Sequence, residues 1–398
     1  NKNLSEDLDA FPYVNGHLFA ERIDMPSFDV TLRDELIECA YFDWAAISPA
    51  IFGSLFQSVM NSETRRKLGA HYTSERDILR LIKPLFLDEL QEELQRIAKL
   101  KTKRPQQLGA LQQRISSLQF LDPACGCGNF LIITYRELRR LELALLEEQQ
   151  KDKGNSASLI AIEPLIRLDC FHGIEIEEWP ARIAEVAMWL TQHQMNREFA
   201  KRFGHEPDLL PLKSAVHIAH SNALQLDWAD VVKPEQLDYI IGNPPFVGKN
   251  YRSVEQNKDM EALFKGTKNF KSLDFVTCWF VKTAKFIHNT SIQVALVSTN
   301  SITMGEQVAP LWKPLIESGL HINFAHRTFS WESEARGKAA VHVVIIGFGY
   351  QEKGNKTLFD YPTLKAEPVA RKVNGISPYL IEGEAIIIEN RSKPLCKV

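Results

Sequence analysis

The sequence predicts an α/β protein: a mostly parallel, seven-stranded sheet with helices on both faces, preceded by a helical region. Three observations carry this reading. From residue 118 onward, short apolar runs alternate with stretches of helical periodicity. A glycine-rich turn, Ala124-Cys-Gly-Cys-Gly128, joins the first apolar run to a long helical stretch. Before residue 65, by contrast, the apolar residues recur mainly at helical spacing.

Taken in order, Leu32, Leu36 and Ile37, then Ile51, Leu55, Phe56 and Val59, mark helices after an extended Phe11-Pro-Tyr-Val-Asn-Gly16 opening. Residues 74–100 continue in that style. Ser74 stands at an N-cap position, and Ile78, Leu81, Ile82 and Leu85 form an apolar stripe. Pro84 lacks the N–H a helix interior needs, so a kink or an end is expected there. Residues 101–117, rich in Lys, Arg and Gln, read as a solvated helix or linker. Strands are expected at 118–122, 169–175, 215–221, 237–242, 292–298, 322–326 and 340–347. Helices are expected to about 149, then at 179–198, 273–288 and 306–318, with a polar loop over 247–271. The run after 350, with several Pro and Gly, reads as an exit linker.

Composition narrows the function classes. The formal net charge is −3, whereas a stand-alone DNA binder is usually basic, so any phosphate-gripping residues are concentrated locally or lie in another module. No apolar run approaches a membrane span and no signal segment opens the chain. The chain begins at Asn1 and closes on Arg391-Ser-Lys-Pro-Leu-Cys-Lys-Val398, which reads as an excised fragment. Six cysteines are too few and too scattered for a disulfide framework, and a reducing cytoplasm suits them. Cys125 and Cys127 have no second pair at zinc spacing. His217 and His220 fall on opposite faces of a strand, so no metal site is expected.

The strongest local signal is Asp122-Pro-Ala-Cys-Gly-Cys-Gly-Asn-Phe130 at the exit of the first strand. A nucleotide-like cofactor lies across the carboxyl ends of such strands, and the backbone must approach it closely. Gly126 and Gly128 supply permissive dihedrals, and Asn129 is expected to cap the next helix, whose N-terminus offers free N–H groups. Glu175 ends the second strand, where an acid can hold ribose hydroxyls. The bland alternative is a structural turn beside a solvated glutamate.

The second signal is Gly242-Asn-Pro-Pro-Phe246, closing the fourth strand. An exocyclic amine on a purine is a poor nucleophile because its lone pair is delocalised into the ring. Two acceptors, one for each N–H, help it to pyramidalise. The Asn243 amide oxygen can be one, and the Pro244 carbonyl the other. Pro245 stiffens the exit, and Phe246 gives a flat face for an extruded base. The alternative is a proline-stiffened strand exit with no chemistry.

These segments resemble the motifs of class I, Rossmann-like methyltransferases that depend on S-adenosyl-L-methionine. The turn is similar to motif I of adenine-N6 DNA enzymes, with Cys127 where Ser is more common. The resemblance implies cofactor contacts by Asp122, Pro123, Ala124, Gly126, Gly128, Asn129 and Phe130. Glu175 and Ile176 then resemble motif II, and Asn222 with Ala223 resembles motif III, where many members carry Asp. Asn243, Pro244, Pro245 and Phe246 resemble motif IV of amino-group methyltransferases. Leu68-Gly-Ala-His-Tyr-Thr73 resembles motif X of the gamma order, implying cofactor contacts by Ala70, Tyr72 and Thr73.

Further segments carry the resemblance along most of the chain: Phe11-Pro-Tyr-Val-Asn-Gly16, Ile47-Ser-Pro-Ala-Ile-Phe-Gly53, Ser272-Leu-Asp-Phe-Val-Thr-Cys-Trp279 and Phe329-Ser-Trp-Glu-Ser-Glu-Ala335. Together they resemble the MmeI-like family of single-chain type IIL restriction–modification enzymes. That implies a helical connector over 1–65, a methyltransferase domain over 66–350, and over 351–398 a linker with the start of a target-recognition domain. It also implies double-stranded DNA as partner and a nuclease domain upstream. No Pro-Asp…Glu-x-Lys nuclease pattern stands in this chain. Lys249 and Arg252 are candidate DNA contacts in the loop after motif IV, and Phe329 or Trp331 a candidate second face for the base; packing and solvated-loop roles stand beside these. The tetrapeptide also occurs in enzymes acting on RNA bases or protein amide nitrogen, so those substrates, or a non-catalytic cofactor module, remain alternatives. A nicotinamide dehydrogenase does not fit, since position 131 is Leu where its third glycine would stand.

Overall fold

The computed structural model describes residues 27–41, 47, 51, 73–153, 163–207, 216–331 and 341–388. Of the expected connector, α1 (Val30–Tyr41) is described, with no buried residue; the remaining connector segments, together with Ala70 and Tyr72, lie outside the described residues. The helices that follow are α2 (Glu75–Ile82), α3 (Asp88–Ala98), α4 (Arg104–Ser117), α5 (Asn129–Lys153) and α6 (Glu178–Phe203). Beyond these come α7 (Val254–Leu263), α8 (Thr277–Phe286) and α9 (Val308–Glu317). The strands are β1 (Phe120–Asp122), β2 (Phe171–Glu175), β3 (His217–His220), β4 (Tyr239–Gly242), β5 (Gln293–Thr299), β6 (His321–Trp331), β7 (Val341–Gly349), β8 (Lys356–Asp360) and β9 (Val369–Val373).

One sheet takes the order β3-β2-β1-β4-β5-β7-β6-β8-β9. The first five are parallel, β7 runs antiparallel to both β5 and β6, β8 is parallel to β6, and β9 is antiparallel to β8. The sheet therefore has nine strands among the described residues, where seven were expected. Residues 356–373, read as part of an exit linker, extend the same sheet instead. The Pro and Gly that suggested a linker sit in the turns around two short strands.

Alternation along the strands divides the core between two faces. Phe120 joins one apolar cluster and its neighbour Leu121 the other; Ala295 and Val297 face opposite to Val294 and Leu296. Helices α2 to α6 cover the first face through Ile78, Leu81, Leu90, Leu108, Ile132 and Met188. Helices α8 and α9 cover the second through Phe280, Ala284, Leu311 and Trp312. The segment 101–117 belongs to this packing: α4 buries Leu108, Leu111 and Ile115. Pro84 does not end its helix. A π-turn over Lys83–Leu87 passes the chain from α2 into α3, the Asp88 N–H reaching back to the Lys83 carbonyl, while Leu85, Phe86 and Leu87 stay buried. The wide turn accommodates the missing proline N–H without releasing those apolar contacts.

The chain leaves β1 toward β2 on one side and later returns to β4 on the other. The carboxyl ends of β1 and β4 thus flank the point where the strand order reverses, the place where open α/β sheets bind their ligands.

Candidate active site

Two strand exits build the site. At the end of β1, Asp122 is wholly buried. Its Oδ1 accepts the Ala124 N–H at 3.0 Å, and its Oδ2 is buried with no hydrogen-bond partner among the described residues. Burial pushes this carboxyl up to about 8, against the pull of the Ala124 N–H. The turn that follows is tied down on three sides. Trp279 of α8 donates its indole N–H to the Pro123 carbonyl at 3.0 Å. The Cys125 N–H bonds the Ile174 carbonyl at 3.1 Å. The Gly126 N–H bonds Glu175 Oε2, and the Glu177 N–H bonds Oε1 of the same carboxylate, each at 2.9 Å. Burial raises the Glu175 pKa, and these N–H donors oppose it.

The glycines divide their work. Gly126 has φ +54°, and no atom lies within 4 Å of where a Cβ would stand, so the space beside it is open. Gly128, at φ +85°, faces α6: a Cβ there would meet the Ala184 Cβ at 3.0 Å. Its role is close helix packing rather than room for a cofactor. Asn129 does not cap α5 through its side chain. It is the first residue of the helix, the Gly128 carbonyl takes the first helical N–H, from Ile132, and Asn129 Oδ1 is buried without a partner among the described residues. Phe130 is buried in the core cluster beside Leu131 and Ile132, which gives it a packing role.

At the exit of β2, Ile176 is 53% exposed, an apolar side chain beside the Glu175 carboxylate. At the exit of β3, Asn222 is engaged at both ends of its amide. Its Oδ1 accepts the Leu224 N–H at 2.9 Å, and its Nδ2 donates to Asp259 of α7 at 3.0 Å. Ala223 is buried next to it, and its carbonyl accepts the Trp228 indole N–H at 2.8 Å.

The exit of β4 lies against that of β1. A Cβ on Gly242 would stand 2.6 Å from Asp122 Oδ1, so glycine at 242 lets the two strand ends meet. Asn243 follows. Its Nδ2 donates to Thr73 Oγ1 at 3.1 Å, and its Oδ1 is buried with no hydrogen-bond partner among the described residues. Pro244 is buried, Pro245 is half-buried, and half-buried Phe246 packs against both apolar clusters. The structure therefore brings Thr73, Asp122, Gly126, Glu175 and Asn243 together at the carboxyl ends of β1, β2 and β4.

Of the four remaining candidates three are turned inward, and Lys249 is exposed. Arg252 turns its guanidinium inward, donating to the Leu273 and Lys271 carbonyls at 3.1 and 3.0 Å, so it fastens its own loop rather than reaching outward for phosphate. Lys249 is exposed and pairs with Glu306 at 3.2 Å. Phe329 is fully buried, stacked on Tyr361 at 4.9 Å with the Arg80 guanidinium 5.0 Å from its ring centroid. That enclosure makes it a packing aromatic. Trp331 is buried as well, its ring 6.0 Å from that of Phe329. The polar loop over 247–271 contains α7, begun by a capping box between Ser253 and Gln256.

Sequence reasoning missed two participants and one bond. Asp259 reads as one acid diluting a basic cluster, yet it is buried and accepts from both Asn222 and Gln225. Trp279 reads as core, which it is, but its N–H also anchors the turn after β1. Thr73 reads as a cofactor contact, with no sign of its bond to Asn243. Among the described residues no group of three or more His, Cys, Asp or Glu could hold a metal ion, and no helix is long and apolar enough to cross a membrane.

A largely parallel sheet whose strand order reverses between β1 and β4, an acid ending β2 and Asn-Pro-Pro-Phe after β4 define a class I methyltransferase fold. The chain belongs to the family described as MmeI, DNA-methyltransferase domain, which matches residues 97–360. It is 41% identical to DNA methyltransferase A of Bacillus subtilis (strain 168) over 404 residues, covering 99% of this chain and 44% of that protein. It is similar to the solved type IIL restriction–modification enzyme MmeI in complex with DNA, with TM-score 0.91 and 49% identity, covering all of this chain and 53% of that one. The chain thus spans about half the length of these relatives.

Proposed function

We propose that this chain transfers a methyl group from S-adenosyl-L-methionine to the N6 amine of an adenine turned out of double-stranded DNA, as the modification part of a restriction–modification enzyme. The observation that carries this is the buried Asn243 Oδ1, without a partner among the described residues, at a strand exit that meets the start of the turn after β1. A buried acceptor left unmatched costs about 1–3 kcal/mol, which a bound amine would offset.

The donor set suits the cofactor. The space beside Gly126 is open, and two more buried oxygens without partners, Asp122 Oδ2 and Asn129 Oδ1, lie on the segment around it. Glu175 would hold the ribose, and the exposed Ile176 side chain and Ala223 would flank the adenine ring. When bound, the cofactor supplies a methyl group on a sulfonium cation, open to direct displacement. No strong general base is needed, which accords with a Gly-Asn-Pro-Pro-Phe segment that carries no histidine. The protein's contribution is alignment and fixed dipoles. Asn243 Oδ1 would accept one N–H of the target amine and the Pro244 carbonyl the other. Both draw the nitrogen lone pair out of ring conjugation, and Phe246 would offer one face to the base.

Double-stranded DNA as substrate is supported by the relatives' names and by the DNA complex of the similar enzyme. Specific DNA grip and cleavage would then reside in other modules of a longer polypeptide. Asn243→Ala should abolish methyl transfer while cofactor affinity, measured by calorimetry, stays nearly unchanged. Equal loss of both would contradict the assigned roles. Transfer of labelled methyl groups to DNA, RNA and protein by the full-length enzyme tests the substrate class; uptake by RNA or protein instead of DNA would overturn it.

A further inference from the structure

A primary amide has a donor end and an acceptor end, exchanged by a half-turn of its last torsion. Only one orientation of Asn243 offers oxygen to an incoming amine; the other sets donor against donor. The Asn-Pro-Pro-Phe segment itself does not decide between them. In the structure the Asn243 amide N–H donates to Thr73 Oγ1 at 3.1 Å, which leaves Oδ1 as the end without a partner among the described residues, and Thr73 is only 4% exposed. We infer that Thr73 is a positioning residue: by accepting the amide N–H it holds the Asn243 side chain in place with the oxygen left for the amine to be methylated, and a bracket on α2 holds Thr73 in turn.

The bracket is built from the residues that follow. Ser74 caps α2, accepting the Asp77 N–H at 3.3 Å and donating its hydroxyl to Asp77 Oδ2 at 2.8 Å. Asp77 is buried and takes Arg80 on Oδ1 at 2.8 Å. The Arg80 guanidinium lies over the rings of Phe329 and Tyr361, at 5.0 and 5.4 Å, and 3.7 Å from Glu367. Thr73, next to the cap, therefore moves only with an assembly tied to β6 and to the turn between β8 and β9. A β-branched side chain suits the task, since its χ1 is stiff and holds the hydroxyl in one place.

This inference rests on the catalytic reading of Asn243, and the test separates the two. Full-length enzyme is prepared as parent, Thr73→Val, Thr73→Ser and Thr73→Ala. Methyl transfer to DNA is resolved into kcat and KM, cofactor-product affinity is read by calorimetry, and folding by thermal midpoint. Valine keeps the shape and removes the acceptor; alanine is carried alongside so that a packing defect of valine does not mask the result. Both should lower kcat roughly 10- to 100-fold, the scale of a misaligned reacting group, with cofactor affinity and midpoint retained, and serine should restore most of the rate. Parental kcat in Thr73→Val and Thr73→Ala overturns the inference, as does a serine variant no better than valine. A fall in cofactor affinity that matches the fall in kcat also overturns it, since the hydroxyl would then serve the cofactor. A parent enzyme that methylates no DNA instead overturns the functional reading.

Discussion

At the scale of single residues, Asp122 carries the clearest pH consequence. Its ordinary pKa is near 3.8, and burial raises it in the fold to about 8. A raised folded-state pKa means stability that is complete at low pH and is lost as pH climbs from about 4 toward 8, by up to ~1.4 kcal/mol per pH unit. Asp122→Asn removes the titration and keeps an acceptor for the Ala124 N–H. In the cofactor-free protein this variant should melt above the parent at pH 7 to 8, with the gap closing as the pH falls toward 4; scanning calorimetry across that range checks it, and a constant gap would refute it. The residues most legible from sequence were those whose chemistry forces their identity: a glycine where φ is positive, an acid ending β2, an amide ending β4. Illegible were bonds between distant positions. Thr73 and Asn243 are 170 residues apart, Trp279 and Pro123 156 apart, and such pairs leave no local pattern. Orientation is equally hidden. Arg252 in a lysine-rich stretch reads as outward-facing, yet its guanidinium is occupied by two carbonyls of its own chain.

At the scale of elements, α8 and α7 show what a helix contributes beyond burial. The Trp279 indole ties α8 to the turn after β1. Trp279→Phe keeps most of the packing but strands the Pro123 carbonyl, a loss of about 1–3 kcal/mol by denaturant titration, with weaker cofactor binding because the turn is freed. An unchanged midpoint would deny the anchor any role. For α7, Ser253→Ala should cost about 1 kcal/mol, the usual worth of an N-cap, again by denaturant titration. Its polar sequence hid this helix, although Ser253 and Gln256 at the capping-box spacing were the signal available. The helices with long apolar stripes were readable because burial imposes a period on them. Helix α4 was half-readable, since its three buried apolar residues are spaced among Gln and Arg.

At the scale of the whole molecule, the parallel half of the sheet was legible and its far margin was not. Strands β1, β2, β4 and β5 are largely buried and read as apolar runs, whereas β8 and β9 are five residues each, and four of the five in β9 are exposed. Both nevertheless matter to the core: Leu358 is fully buried, and Tyr361 covers Phe329. A chain ended at residue 350 should therefore have a lower thermal midpoint than one ended at 388 and should associate on gel filtration, because the margin of β6 is laid bare; equal behaviour of the two would show the added strands to be dispensable. The π-turn at Lys83–Leu87 has a related, longer-range effect. It acts as one surplus residue in an otherwise continuous helix, and each residue advances a helix by about 100°. Helix α2 is thus rotated in phase relative to α3. Deleting one residue there, with Pro84 replaced, would give a straighter and locally more regular rod, but one wound to the wrong angle, with Ser74 and its neighbour swung off the strand exits and the enzyme silenced by a better helix.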